Sequence, residues 1–155
     1  MLSNEAGSTF IAEVFRTFRK YFASAIAISQ NVDDFAKSKV ADAILTNSSM
    51  KWILKQRGAD QARLKEVLQL NEMEMDLIAS LSQERGLYSE VFLMAEGNHT
   101  VASIEPTALE YWIATTDPRD LGVVDETERS HPSATKLAVL KMLSEKYPKG
   151  VAQSL

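Results

Sequence analysis

The chain has 155 residues, 45% of them apolar and 25% charged, with a formal net charge of −4. That length is enough for one domain with a real core, and the negative balance excludes a surface uniformly attractive to nucleic acid. Cysteine is absent, which excludes disulfides, thiolate nucleophiles and Cys-ligated zinc and suits a reducing cytoplasm.

"MLSNEAGSTF" has neither a basic stretch nor an apolar one, so no signal peptide is expected. No apolar run approaches the roughly 18–20 residues of a membrane-spanning helix. Thr9 is an expected N-cap, and "FIAEVFRTFRKYF" reads as a helix 10–22 in which Phe10, Val14 and Phe18, with Ile11 and Phe22, recur at spacings of three and four. Arg16, Arg19 and Lys20 lie mostly off that stripe, near the C-terminal end, where cations suit the helix dipole. "ASAIAIS" (23–29) reads as a short buried strand with Gln30 at its tip. "VDDFAKSKVADAIL" (32–45) is helical in pattern, with Asp33 and Asp34 in its first turn. "TNSS" stops it. "MKWILK" is a second strand with Trp52 and Leu54 on one side and Ile53 on the other.

This helix–strand–helix–strand order predicts a right-handed crossover between two parallel strands, ended by Gly58. "DQARLKEVLQLNEMEMDLIASL" gives one or two amphipathic helices, the second capped by Asn71 with Glu74 closing a capping box. "EVFLMA" and "TVASIE" flank "EGNH", a hairpin with Gly97–Asn98 as its turn signal, and Pro106 closes it. The remainder is helical: "TALEYWIATT", a stop and restart at Asp117, Pro118, Arg119 and Asp120 with Pro at the first helical position, then "SATKLAVLKMLSEKY" up to "PKG".

The chemistry-bearing positions each have a structural alternative. Gln30, at the carboxyl end of a parallel strand, can orient a water or sense a phosphate, or it can simply cap the next helix. Arg16, Arg19 and Lys20 can hold phosphate or form a solvated helix face. "GVVDET" (122–127) imitates a Walker B segment, but only Val123 and Val124 precede Asp125 and the flanks are polar. His99 and His131 have no ligand partners at metal-site spacing, so no metal site is expected. The glycine-rich phosphate loop G-x-x-x-x-G-K-[ST] occurs nowhere in the 155 residues.

The segment "FIAEVFRTFRKYFASAIAISQNVDDFAKSKVADAILTNSSMKWILKQ" resembles the nucleotide-binding lobe of the TraC-like conjugation ATPases of type IV secretion systems. Arg16, Arg19, Lys20, Gln30, Asp34, Phe35, Asn47, Lys51, Leu54 and Lys55 carry the likeness. "YSEVFLMAEGNHTVASIEPTALEYWIATTDPRD" continues it with a hairpin and a Y-W-hydrophobic-x-T-x-D-P-x-D block, and "LSEKYPKGV" closes it. The resemblance implies an α/β fold: the C-terminal part of a RecA-like P-loop lobe. Two parallel strands with flanking helices, an antiparallel hairpin and a helical C-terminal third would form a single domain over 1–155. The partial lobe would span about 9–105 and the helical extension about 106–150. It implies Gln30 as a γ-phosphate sensor, Arg16 or Arg19 as phosphate contacts, one of them acting across a subunit boundary, and Lys20 as a further nucleotide contact. ATP and Mg²⁺ belong to the intact family protein. None is expected for this chain alone, because Walker A and Walker B lie outside it. The expectation is therefore a fragment of a longer polypeptide or a truncated reading frame, inactive by itself.

The expected function is that of a C-terminal piece of an ATPase that powers substrate transfer or pilus assembly. The alternative is a non-catalytic interaction module of a secretion system, docking through 106–150. A nucleic-acid binder resting on the Arg16, Arg19 and Lys20 patch is a third reading, which the net charge opposes. Expected partners are other secretion-system subunits, with DNA contact weakly supported. The expected location is cytoplasmic, peripheral at the inner membrane through partners. A strand at 23–29 without its Walker B neighbour would be a bare apolar edge, and helix 10–22 would expose Phe10, Phe18 or Phe22. The expected consequence is self-association as a two-fold dimer.

Overall fold

The computed structural model describes residues 5–30, 40–56 and 61–151. Its contacts group the chain into two units, one formed by the residues up to Leu81 with Val91–Ala102, the other by Ser82–Glu90 with the residues from Ser103 onward. Among the described residues there are seven α-helices and four strands.

The first unit begins with α1 (Glu5–Thr17), which runs into a 3₁₀ turn over Phe18–Tyr21. The helix starts a full turn before the expected cap, so Thr9 lies inside it. Ile11, Val14, Phe15 and Phe18 are half-buried, whereas Phe10 is 61% exposed and Phe22 fully exposed. Phe22 takes a left-handed backbone (φ 52°), and the amide of Ala23 returns to the Phe18 carbonyl at 3.1 Å. That geometry ends the helical run, since a bulky side chain rarely continues from the left-handed region.

No strand forms at 23–29. Ile26 and Ile28 are 86% and 90% exposed. A strand exists only through a ladder partner, and this segment has none among the described residues. Helix α2 (Ala41–Asn47) follows. The expected helix 32–45 lies in part outside the described residues, as do Asp33, Asp34, Phe35 and Gly58. Strand β1 (Met50–Leu54) alternates as its sequence demands: Ile53 is buried, while Met50, Trp52 and Leu54 are exposed. Helix α3 (Gln61–Leu68) ends with Gln69 at φ 55° and the amide of Leu70 bonded back to the Lys65 carbonyl at 3.0 Å, a left-handed helix stop. Buried Leu70 anchors the turn. Helix α4 (Glu72–Ser80) opens with a complete capping box: the Asn71 side chain accepts from the Glu74 amide (2.9 Å), and the Glu74 carboxylate accepts from the Asn71 amide (2.7 Å).

With β2 (Gln83–Glu84) numbered in chain order, strands β3 (Tyr88–Ala95) and β4 (Asn98–Ile104) form the hairpin. Its turn is Glu96–Gly97, one residue earlier than the Gly97–Asn98 signal, and both residues have positive φ (49° and 79°), as a two-residue primed turn requires. Strand β1 pairs antiparallel with β3, Met50 opposite Ala95 through Leu54 opposite Val91. This corrects the expected parallel arrangement: β1's ladder partner is the hairpin, and among the described residues no parallel pair forms. Ile53, Leu64, Leu70, Ile78, Leu81 and Phe92 make the core of this unit.

In the second unit β2 pairs with the first residues of β3, Gln83 opposite Ser89 and Glu84 opposite Tyr88. Three helices follow: α5 (Ala108–Ala114), α6 (Pro118–Ser130) and α7 (Lys136–Lys146). Each has a polar N-cap, namely Thr107 with Glu110 closing a capping box, Asp117 with Pro118 next, and Thr135. Tyr111, Trp112, Val124, Val139, Leu140 and Leu143 form its core, and the Trp112 indole N–H donates to the Tyr147 carbonyl at 2.8 Å. The Walker-B-like segment 122–127 lies within α6. With no strand to project it, Asp125 is an exposed helix residue.

Glu74 does double duty, since its second oxygen pairs with His99 on β4. The Asn71 amide first, then His99, hold its carboxyl below the usual carboxylate range. A depressed folded value means stability present above the ordinary carboxylate pKa of about 4.3 and lost as pH falls through the folded value. Wild type is therefore expected to exceed Glu74→Gln in thermal midpoint at pH 7, with the gap closing below pH 4. A gap independent of pH in paired melting curves would contradict this.

Candidate functional site

Arg16 occupies the last turn of α1, and Arg19 and Lys20 occupy the 3₁₀ turn after it. Gln30 is at the far end of the exposed 23–29 segment. All four are exposed, and none of their side chains makes an ion pair or hydrogen bond with a described residue. The four are near one another in sequence, but no bond joins Gln30 to any of the cations. Arg16 borders a shallow depression of about 460 Å³ with Ser8, Thr9, Ala12, Glu13, Thr17 and Val40. From Val14 to Gln30 the chain carries no acidic residue, so this stretch is a local positive patch on a chain of net charge −4. Such donors suit phosphate oxygens: a guanidinium can grip two at once, and an amide donates without a charge of its own.

The D-P-x-D block builds something different in the second unit. Asp120 is fully buried. One of its oxygens accepts from the Tyr111 hydroxyl (2.6 Å), the Arg85 guanidinium (2.7 Å) and the Thr115 hydroxyl (2.9 Å), and the other accepts from the Val151 amide (3.0 Å). Arg85 also donates to the Tyr111 hydroxyl (3.0 Å) and pairs with Asp117 (2.6 Å). Burial alone pushes the Asp120 carboxyl up. The bonds from Tyr111, Val151, Thr115 and Arg85 outweigh it and hold the group below its ordinary value. Asp117 is lowered too, by the Arg119 amide and by Arg85 against an opposing desolvation. Gly150 (φ 85°) lets the tail pass so close to Tyr111 that a Cβ there would sit 2.5 Å from its hydroxyl.

A carboxylate with four donors has little capacity left to take a proton from a substrate, so this network is structural. Tyr111, Thr115, Asp117 and Asp120 stand in the motif that carried the resemblance. Val151 ends the "LSEKYPKGV" block, but Arg85 had no signal in the sequence: it is 35 residues from Asp120, and no local spacing rule reaches that far.

A family model, the TraG P-loop domain, matches residues 1–146. The chain belongs to that family. Protein TraC of Escherichia coli (strain K12) is 29% identical over 102 residues, which is 63% of this chain and 12% of TraC. The chain thus spans about an eighth of the length of that relative. No solved structure matches. Family membership agrees with the likeness carried by the Arg16–Lys20 cluster, Gln30 and the D-P-x-D block.

Replacing Asp120 by Asn leaves Arg85 and Tyr111 partly unsatisfied in a buried place. A loss of about 3–5 kcal/mol is expected, the range for breaking a buried ion pair on one side. Because the folded pKa is depressed, the wild-type advantage is present above a pH of about 4 and is lost as pH falls through the lowered value. Denaturant titrations at pH 7 and pH 3 check both parts, and a loss under about 1 kcal/mol at pH 7 would show that the network holds nothing.

Proposed function

We propose that this chain is part of the nucleotide-binding lobe of a conjugative-transfer ATPase, a motor that powers substrate transfer or pilus assembly. The observation that supports this most directly is the free donor set of Gln30, Arg16, Arg19 and Lys20, four exposed side chains without a protein partner among the described residues. From Val14 to Gln30 the sequence offers them no carboxylate, and Glu13, one turn before Arg16, forms no ion pair with it among the described residues.

In the completed lobe, residues 23–29 become a strand parallel to β1, in the manner of RecA-like motors, with the Walker B strand on the other side. Gln30 is then carried to the strand's tip, where its amide meets the γ-phosphate and orients the attacking water. Arg16 or Arg19 contacts the same phosphate, one of them from a neighbouring subunit, and Lys20 adds a further positive charge. Bound ATP supplies the phosphoryl group that passes to water. This chain's residues position that group and offset the charge that builds on it. They fit phosphate by donor chemistry, and the magnesium ligand and P-loop lysine come from the Walker segments, which these 155 residues do not contain. The motor works in the cytoplasm, at the inner-membrane face of its secretion system, with that system's subunits as partners.

The test is ATP turnover in two contexts. The 155-residue chain by itself is expected to give none above buffer; turnover that Gln30→Ala abolishes in that chain would overturn its proposed inactivity. When the chain replaces the equivalent segment of a TraC-like motor, hydrolysis is expected. There Gln30→Ala should lower kcat at least tenfold, and one of Arg16→Ala or Arg19→Ala by about 10³-fold, the lower end for an arginine finger. Full activity in all three variants would remove the site.

A further inference from the structure

Strand β1 sits at the end of its sheet. It hydrogen-bonds to β3 on one side, and no strand among the described residues pairs with the other. The face it turns away from the core is apolar: Met50 is 52% exposed, Trp52 58% and Leu54 48%, while Ile53 on the opposite face is 6% exposed. Edge strands are normally guarded by proline, by a bulge or by charges that obstruct pairing. From Ser48 to Gln56 there is neither proline nor acidic residue. The cation within the strand is drawn back along its own chain, because the Lys51 ammonium donates to the Ser48 carbonyl at 2.8 Å.

We propose that β1 is a self-recognition edge: two copies pair antiparallel along Met50–Leu54 about a two-fold axis at Trp52. The reason for choosing a second copy is the register. Centring an antiparallel pair on Trp52 puts each Met50 opposite Leu54 of the other copy and the two Trp52 rings opposite each other. It puts Lys51 opposite Ile53 and Lys55 opposite Ser49. Every apolar side chain on the exposed face then meets an apolar one, and no lysine faces a lysine, the opposition that most weakens cross-strand pairs. The contact is isologous and closes on itself, so it stops at a dimer. The structure moves the expected association from 23–29, which forms no strand, to a strand that exists. Completion of the lobe by 23–29 would use the same edge, so self-pairing and motor assembly compete. The dimer does not depend on nucleotide, and its failure would leave the ATPase reading untouched.

Light scattering across a dilution series from high to low micromolar is expected to fall from twice the chain mass toward the single mass. Tryptophan emission should shift to the red over the same range, because Trp112 is buried at 2% exposure and Trp52 is the ring that would become uncovered. Trp52→Lys and, as an independent change, Leu54→Lys should each weaken dimerisation at least tenfold with an unchanged circular dichroism spectrum. The pair Ile26→Lys with Ile28→Lys should leave the dimer intact. A single mass at every concentration, an emission maximum that does not move on dissociation, or a dimer abolished by the Ile26/Ile28 pair but not by the β1 variants would each overturn the proposal.

Discussion

One buried carboxylate organises the helical unit. Asp120 is the third residue of α6, Tyr111 and Thr115 belong to or end α5, Arg85 stands between β2 and β3, and Val151 follows the turn after α7. A charge taken out of water costs several kcal/mol unless its bonds are all made, so the geometry of four separate segments is tied to one residue. The apolar core of Trp112, Val139 and Leu143 supplies the general drive to collapse. The carboxylate adds direction, because only one arrangement of the four segments brings every donor to it. The two tight glycines, Gly86 against the Lys149 carbonyl and Gly150 against Tyr111, remove the side chains that would otherwise hold those segments apart.

The other unit has a different character. Its core is closed around Phe92, Ile78 and Leu81, yet large apolar side chains at Phe10, Phe22, Ile26, Ile28 and Trp52 remain outside. Exposed apolar surface of this kind is costly in water. Arg16, Arg19, Lys20 and Gln30 lie along the same stretch of chain as Phe10, Phe22, Ile26 and Ile28.

What could be read from the sequence was local. The capping boxes at Asn71 and Thr107, the proline start of α6 and the turn near Gly97 each depend on residues within four positions of one another, and so does the alternation that buries Ile53 and exposes Trp52. The strand expected at 23–29 failed because a strand's existence depends on a neighbour at any distance along the chain; composition alone described the segment as apolar and had no means of supplying a ladder. The Arg85–Asp120 pair was hidden for a related reason, its members separated by 35 residues and a hairpin. Gln30, Arg16, Arg19 and Lys20 were singled out by family likeness and left with a plausible alternative by chemistry. Their exposure leaves that choice to function.

The bond from the Val151 amide to Asp120 has a consequence for the order of events during synthesis. The carboxylate is translated well before its fourth donor, and the chain between them contains nearly all of α6 and α7. Until residue 151 has left the ribosome, the helices can associate only with Asp120 short of one partner, at a cost that favours keeping that region open and hydrated. The last turn of the unit therefore completes the carboxylate's set of donors, and the helical unit reaches its full stability only when Val151 has folded back onto Asp120.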